Sequence, residues 1–168
     1  MGVDELLDDD AFDPKKLFDE EQYSTLIIKR DGFDKKQNSV ADILEALLDE
    51  KNTRSENEEL FLRLKENNAQ QMLMEAIDAA DKPSEKVKLL AACWESCLDF
   101  TPHFLYFVKM ACNADFNIAL EALSVVESCE GDIDTVVLAE ALLVVQSLEK
   151  KPHELIDDLT ENIKQRIH

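Results

Sequence analysis

The 168-residue chain carries 37 acidic against 18 basic residues, a formal charge of −19, with only three Gly and four Pro. An apolar content of 45% supports one folded domain with a sizeable core, while so little Gly argues against a turn-rich β-sandwich or a Gly-rich phosphate loop. A surface this negative repels phosphate backbones, so direct binding of nucleic acid or of an anionic membrane is not expected.

Leu, Ala, Glu, Asp and Lys dominate, which is helical usage, and the expected class is all-α. The opening MGVDELLDDDAFD has no basic stretch followed by an apolar one, and Gly2 lacks the Ser or Thr of a myristoylation signal. No apolar run reaches the ~18 residues of a membrane span. A cytoplasmic protein whose four Cys stay reduced is expected.

Residues 1–38 read as an acidic N-terminal arm. Asp13-Pro14 is a fair helix start, because Pro at the first helical position sacrifices no hydrogen bond. A short extended piece over 25–29 and an Asp31-Gly32 turn follow, with 23–33 expected to dock through Leu26, Ile27 and Ile28 and 1–12 expected to be mobile. From Ser39, an N-cap residue type, the pattern turns regular. Val40, Ile43, Leu44, Leu47 and Leu48 mark one helix, Leu60, Phe61 and Leu64 a second, and Met72, Leu73, Ala76, Ile77 and Ala80 a third that ends before Pro83.

A shift of 46 residues then lays the chain on itself: Ile43 and Leu44 on Leu89 and Leu90, Phe61 on Phe107, Leu64 on Met110, Met72 on Ile118. A shorter third copy lies at a shift near 48, with Leu89 and Leu90 on Val137 and Leu138. The last helix, HELIDDLTENIKQRI, keeps Leu155, Ile156, Leu159, Ile163 and Ile167 on one stripe, as a cap should. FLYFVKMA (104–111) and TVVLAEALLVV (135–145) have no wide polar face and are expected to lie between neighbours. Helices at this period predict an α-solenoid of about three stacked units over 39–168.

The stretch FLYFVKMACNADFNIALEALSVVESC, an apolar helix, a short Asn113-Ala114-Asp115 turn and an Ala- and Leu-rich helix, resembles the HEAT/armadillo superfamily of helical repeats. The resemblance covers roughly residues 39–168 and departs from HEAT in lacking the usual Pro turn and the basic residue of the second helix. It implies an α-α superhelix that binds proteins on a concave helical surface, without catalysis.

Chemical candidates are few. LLAACWESC (89–97) puts Cys93 and Cys97 on a predicted helix with Trp94 between them. Leu90, Cys93 and Cys97 share a face at i, i+3 and i+7, and the shift lays Cys93 on Leu47 and Trp94 on Leu48. A structural zinc site takes four ligands, usually as two neighbouring pairs, and Cys112 and Cys129 stand apart. The stretch is expected to be core wall, its thiols acting as small apolar groups. His153-Glu154 opens like an H-E-x-x-H zinc motif, but position 157 is Asp, and a solvated first helical turn is expected instead. Residues 8–19 lack the Gly and Glu of a calcium loop. His103, His153 and His168 complete no nucleophile triad legible in sequence.

Neither catalytic residues nor a cofactor is therefore expected. Glu75 and Glu121 recur one period apart, in LMEAI and ALEAL. Equivalent positions in stacked repeats form a ladder along one face, which makes these two the candidate partner-binding residues; the same spacing arises where Glu-Ala is simply good helix sequence. The functional expectation is an acidic adaptor or scaffold that binds a protein with a basic patch. The alternative is an inhibitor, immunity-type protein or nucleic-acid mimic that blocks a basic enzyme by its acidic surface.

Overall fold

The computed structural model describes residues 39–168, so the expectations for the arm (the mobile stretch over 1–12, the helix from Pro14, the docked piece over 23–33, the rejected calcium loop over 8–19) lie outside the described residues. Within them all regular structure is helical: α1 Val40–Leu47, α2 Arg54–Glu66, α3 Gln70–Ala79, α4 Pro83–Glu95, a 3₁₀ turn Thr101–His103, α5 Phe104–Asn113, α6 Phe116–Ser128, α7 Thr135–Gln146 and α8 Leu155–Ile167. Among the described residues no helix is long and apolar enough to cross a membrane.

Local chemistry sets the boundaries. Ser39 Oγ accepts from the Asp42 amide at 3.1 Å and starts α1 as the sequence anticipates. α2 opens on a reciprocal cap: the Glu56 amide donates to Thr53 Oγ1 at 3.3 Å, and the Glu56 carboxylate accepts from the Thr53 amide at 2.7 Å. Those bonds favour the ionised carboxylate and hold Glu56 below its ordinary pKa. Asn68, at φ 48°, makes the left-handed turn into α3. Pro83, read from sequence as closing the third helix, is the first residue of α4, where its missing N–H goes unmissed.

Substantial packing joins helices no more than three apart in the chain. α1 lies against α2, α3 and α4; α2 and α3 against α4; α4 against α6; α5 against α6, α7 and α8; and α6 and α7 against α8. One continuous core runs through all eight, with Leu64, Ile77, Leu90, Phe107, Leu159 and Ile163 sealed from solvent. The 46-residue shift carries α1 onto α4, α2 onto α5 and α3 onto α6. Ile43 and Leu89, Leu47 and Cys93, Phe61 and Phe107, and Ile77 and Leu123 are buried in both copies.

Expectations about burial fail at several positions along these helices. α7 is not enclosed: Val136 is 71% and Leu143 64% exposed, on the side opposite Leu138, Ala141 and Val145. A helix with no polar face reads as buried all round, but here one apolar flank faces solvent. Ile167 leaves the α8 stripe for solvent at the helix end, and Met72 is exposed where Ile118 is buried.

Polar side chains then tie helices two or three apart in the chain, mostly at C-terminal ends, where carbonyls lack intrahelical partners. Lys88 Nζ donates to the Leu48 carbonyl at 3.1 Å. Arg166 donates to the Cys129 carbonyl at 2.7 Å and the Val126 carbonyl at 3.0 Å, with its guanidinium 5.4 Å from the Phe104 ring centre. His153 Nε2 lies 3.1 Å from the Ala111 carbonyl; a carbonyl only accepts, so this nitrogen carries the proton. His153 is thus half-buried, edge-on to Phe116, rather than in a solvated turn. Tyr106 Oη donates to Asp78 at 2.7 Å, and burial together with that carboxylate pushes the phenol well above its ordinary pKa.

Candidate interaction surface

α4 lies between α2 and α6, and what happens at its C-terminal end shapes the surface there. The helix stops at Glu95, and Ser96, buried, turns its hydroxyl back to the Cys93 carbonyl at 3.2 Å. Cys97 follows in the left-handed region at φ 53°, so the helical period ends before it, and its side chain is exposed while Leu98 and Phe100 re-enter the core. The expectation that Cys97 shares the buried face of Leu90 and Cys93 is therefore corrected. Cys93 is core: its thiol donates to the Leu89 carbonyl at 3.4 Å, and burial pushes its pKa far up. Burial also raises Cys112, and raises Cys129 to about 11, so these three thiols stay protonated and poor nucleophiles near neutral pH.

Trp94 is corrected too. It is 37% exposed, where its repeat partner Leu48 is half-buried, and its indole Nε1 donates to Glu121 Oε2 on α6 at 2.8 Å. This contact joins two grooves. The first, about 500 Å³ between α2 and α4, has Phe61, Leu62, Trp94 and Cys97 as its apolar lining and Glu58, Lys65 and Glu95 at its edges. The second, about 470 Å³ between α4 and α6, is lined by Val87, Ile118 and Leu120 with Lys88, Asp115 and Glu121. Part burial, then the nearby Glu121 carboxylate, push the Glu95 carboxyl above its ordinary value, while Arg54 pulls it down. Arg54 itself pairs with Glu58 at 3.1 Å in full solvent. A third hollow, about 190 Å³, lies behind Glu95 against Asp49 and Glu50.

Of the two residues singled out from sequence, Glu121 belongs to this surface and Glu75 does not line either groove. Glu75 sits exposed on α3 and accepts from Gln71 Nε2 at 2.9 Å, one turn back on its own helix. Both helices pack on α4, but the two carboxylates have different neighbours. Sequence reasoning missed Leu62 and Trp94. Each stands beside a buried stripe, Leu60-Phe61-Leu64 and Leu90-Cys93, and a large apolar residue off its stripe was the available signal.

Among the described residues no three His, Cys, Asp or Glu side chains are grouped so as to hold a metal ion. No protein-family model matches this chain, and no curated protein or solved structure matches it either. What the surface can do is bind: it offers aromatic and aliphatic walls, acidic edges, and an indole already oriented by a carboxylate.

Proposed function

We propose that this protein is a small acidic interaction module, an α-solenoid of about three units resembling HEAT/armadillo repeats, that binds a protein partner through a basic patch. It is not an enzyme in this reading, and it takes no cofactor. The observation that carries the proposal is an apolar groove edged by Glu58 and Glu95 on a chain of charge −19. Packing between near neighbours in sequence, with α1–α3, α2–α4, α4–α6, α5–α7 and α6–α8 all in contact, supports the stacked-unit part. Glu75 and Glu121 act by charge, steering the partner and fixing its register more than supplying affinity. A cytoplasmic location is part of the same proposal.

The test is association kinetics with a partner recovered by affinity purification. Glu75→Lys with Glu121→Lys should slow association roughly tenfold, more at low salt, while the thermal midpoint moves only a few degrees. Glu121→Gln, which keeps an acceptor for Trp94, separates lost charge from a lost hydrogen bond. An unchanged association rate in the double variant would remove both carboxylates from the interface.

A further inference from the structure

The geometry points to one occupant for the α2–α4 groove: an amphipathic helix of another protein, seating a large apolar side chain between Leu62 and Trp94, with Lys or Arg one turn away against Glu58 and Glu95. The inference rests on the interaction reading above and goes further by naming the site and the chemistry of what fills it.

The groove decides the partner's backbone first. Both walls are helical up to the turn at Ser96-Cys97, the N–H and C=O groups within those helices are used internally, and among the described residues no sheet edge borders the groove. An extended peptide laid there would bury most of its own backbone groups without partners, which opposes binding. A helix arrives with those groups already satisfied, and recognition then falls to side chains. The walls set the side-chain type. Leu62 is 55% and Trp94 37% exposed, both apolar, with Phe61 beneath them. Apolar side chains left wet in a concavity gain most from an apolar anchor, the usual centre of a binding hot spot.

Charge decides what flanks the anchor. Glu95 has no ion-pair partner among the described residues, and it lies near Glu58, Glu121 and Arg54. Arg54 is engaged by Glu58 in solvent, so the acidic end of the groove keeps unbalanced negative charge that a desolvating partner must neutralise. Lys65, seven residues along α2 from Glu58, edges the groove without an ion pair among the described residues. A basic end at Glu58 and Glu95 and a neutral or acidic end at Lys65 give the docked helix a direction.

Two native reporters sit in the groove. Trp94 is the only Trp in the chain, and Cys97 is the only exposed one of its four cysteines. The probe is a Trp-free, Cys-free synthetic helix of Leu and Lys at amphipathic spacing. Its controls are the same composition in scrambled order and a Leu/Glu version. The Leu/Lys helix is expected to shift Trp94 emission to shorter wavelength saturably, to slow alkylation of Cys97 at least fivefold, and to be displaced by a bulky maleimide on Cys97. Leu62→Glu should weaken binding about tenfold or more, Glu95→Gln should flatten its salt dependence, and Leu143→Glu, which adds the same charge on α7, should leave it within about twofold. Binding that leaves Trp94 and Cys97 unaffected, or that the scrambled peptide reproduces, overturns the proposal. So does a Trp94 shift that follows protein concentration without any peptide, which would make the occupant a second copy of this chain. Loss in Leu143→Glu but not in Leu62→Glu overturns the groove while leaving the interaction reading intact on α7. A natural partner that binds Leu62→Glu and Cys97-alkylated protein as tightly as wild type does the same.

Discussion

Replacing Arg166 with Met keeps most of the aliphatic stem and removes the guanidinium, and the structure gives the cost in parts. Two donated bonds, to the Cys129 carbonyl at 2.7 Å and the Val126 carbonyl at 3.0 Å, cap the C-terminal end of α6 from α8. A third, 2.8 Å to Asn162 Oδ1, holds the side chain in place along α8, and the Phe104 ring lies 5.4 Å beneath. A hydrogen bond from a charged donor contributes about 1.5–3 kcal/mol, and a cation–π contact about 0.5–1 kcal/mol at an exposed site. These terms overlap, and the freed carbonyls can take up water in place of the guanidinium, so a net loss of roughly 2–4 kcal/mol is expected. At roughly 2–4 °C per kcal/mol for a chain of this size, the thermal midpoint should fall by about 5–15 °C. Arg166→Lys keeps the charge but not the fork of donors, so it should lie between wild type and Met. The assay is urea unfolding followed by helical circular dichroism, repeated at high salt. The acceptors are neutral carbonyls at short range, so the loss should persist there. A Met variant within about 0.5 kcal/mol of wild type, or a Lys variant equal to Arg, would refute the reasoning.

Other positions give sharper, smaller tests. A Cβ on Gly131 would sit 2.9 Å from Thr101 Oγ1 and 3.1 Å from its Cγ2, so Gly131→Ala should destabilise by about 1–2 kcal/mol, and Thr101→Ala in the same chain should recover part of the loss. The Glu56 pKa is lowered on folding, so its capping contribution is complete at neutral pH and is lost as pH falls through the folded pKa, below the ordinary 4.5. Acid titration of stability should accordingly lose that component in Glu56→Gln. Lys88→Met should destabilise through the Leu48 carbonyl, and the Lys88→Met, Arg166→Met pair should be additive within about 0.5 kcal/mol, since the two ties share no partner.

What the sequence made legible follows from what helical periodicity can encode. The stripes at Ile43-Leu44-Leu47, Leu60-Phe61-Leu64 and Leu155-Ile156-Leu159-Ile163 are buried as their spacing requires, and Ser39 caps the helix it precedes. Periodicity assumes that the helix continues, and the assumption failed in LLAACWESC: the turn at Ser96-Cys97 ends the period and exposes a thiol assigned to the core. It also reads an all-apolar helix as enclosed and has no means of seeing that Val136 and Leu143 are exposed. Glu75 and Glu121 share a dipeptide and a register, yet one bonds to Gln71 on its own helix and the other to Trp94 across helices. That difference lives in packing, which is why a pattern in sequence could not supply it.

The polar ties and the exposed face are two consequences of one arrangement. Where helices pack mainly on close neighbours in the chain, little else among the described residues is placed to cover helix ends or flanks. The ends are closed by side chains from later in the chain: Lys88 to the Leu48 carbonyl just past α1, His153 to the Ala111 carbonyl of α5, and Arg166 to α6. Each tie satisfies a carbonyl that would otherwise need water. The flanks are closed less well, and Leu62 and Trp94 stay exposed. Trp94 takes the one partial solution available, anchoring its N–H on Glu121 and leaving its ring as a wall of the groove. A residue held this way has already given up much of its rotational freedom before any partner arrives, so binding there pays less ordering entropy than at a free side chain. The same hydrogen bond that restrains the indole in the isolated chain thus prepares the surface on which a partner would dock.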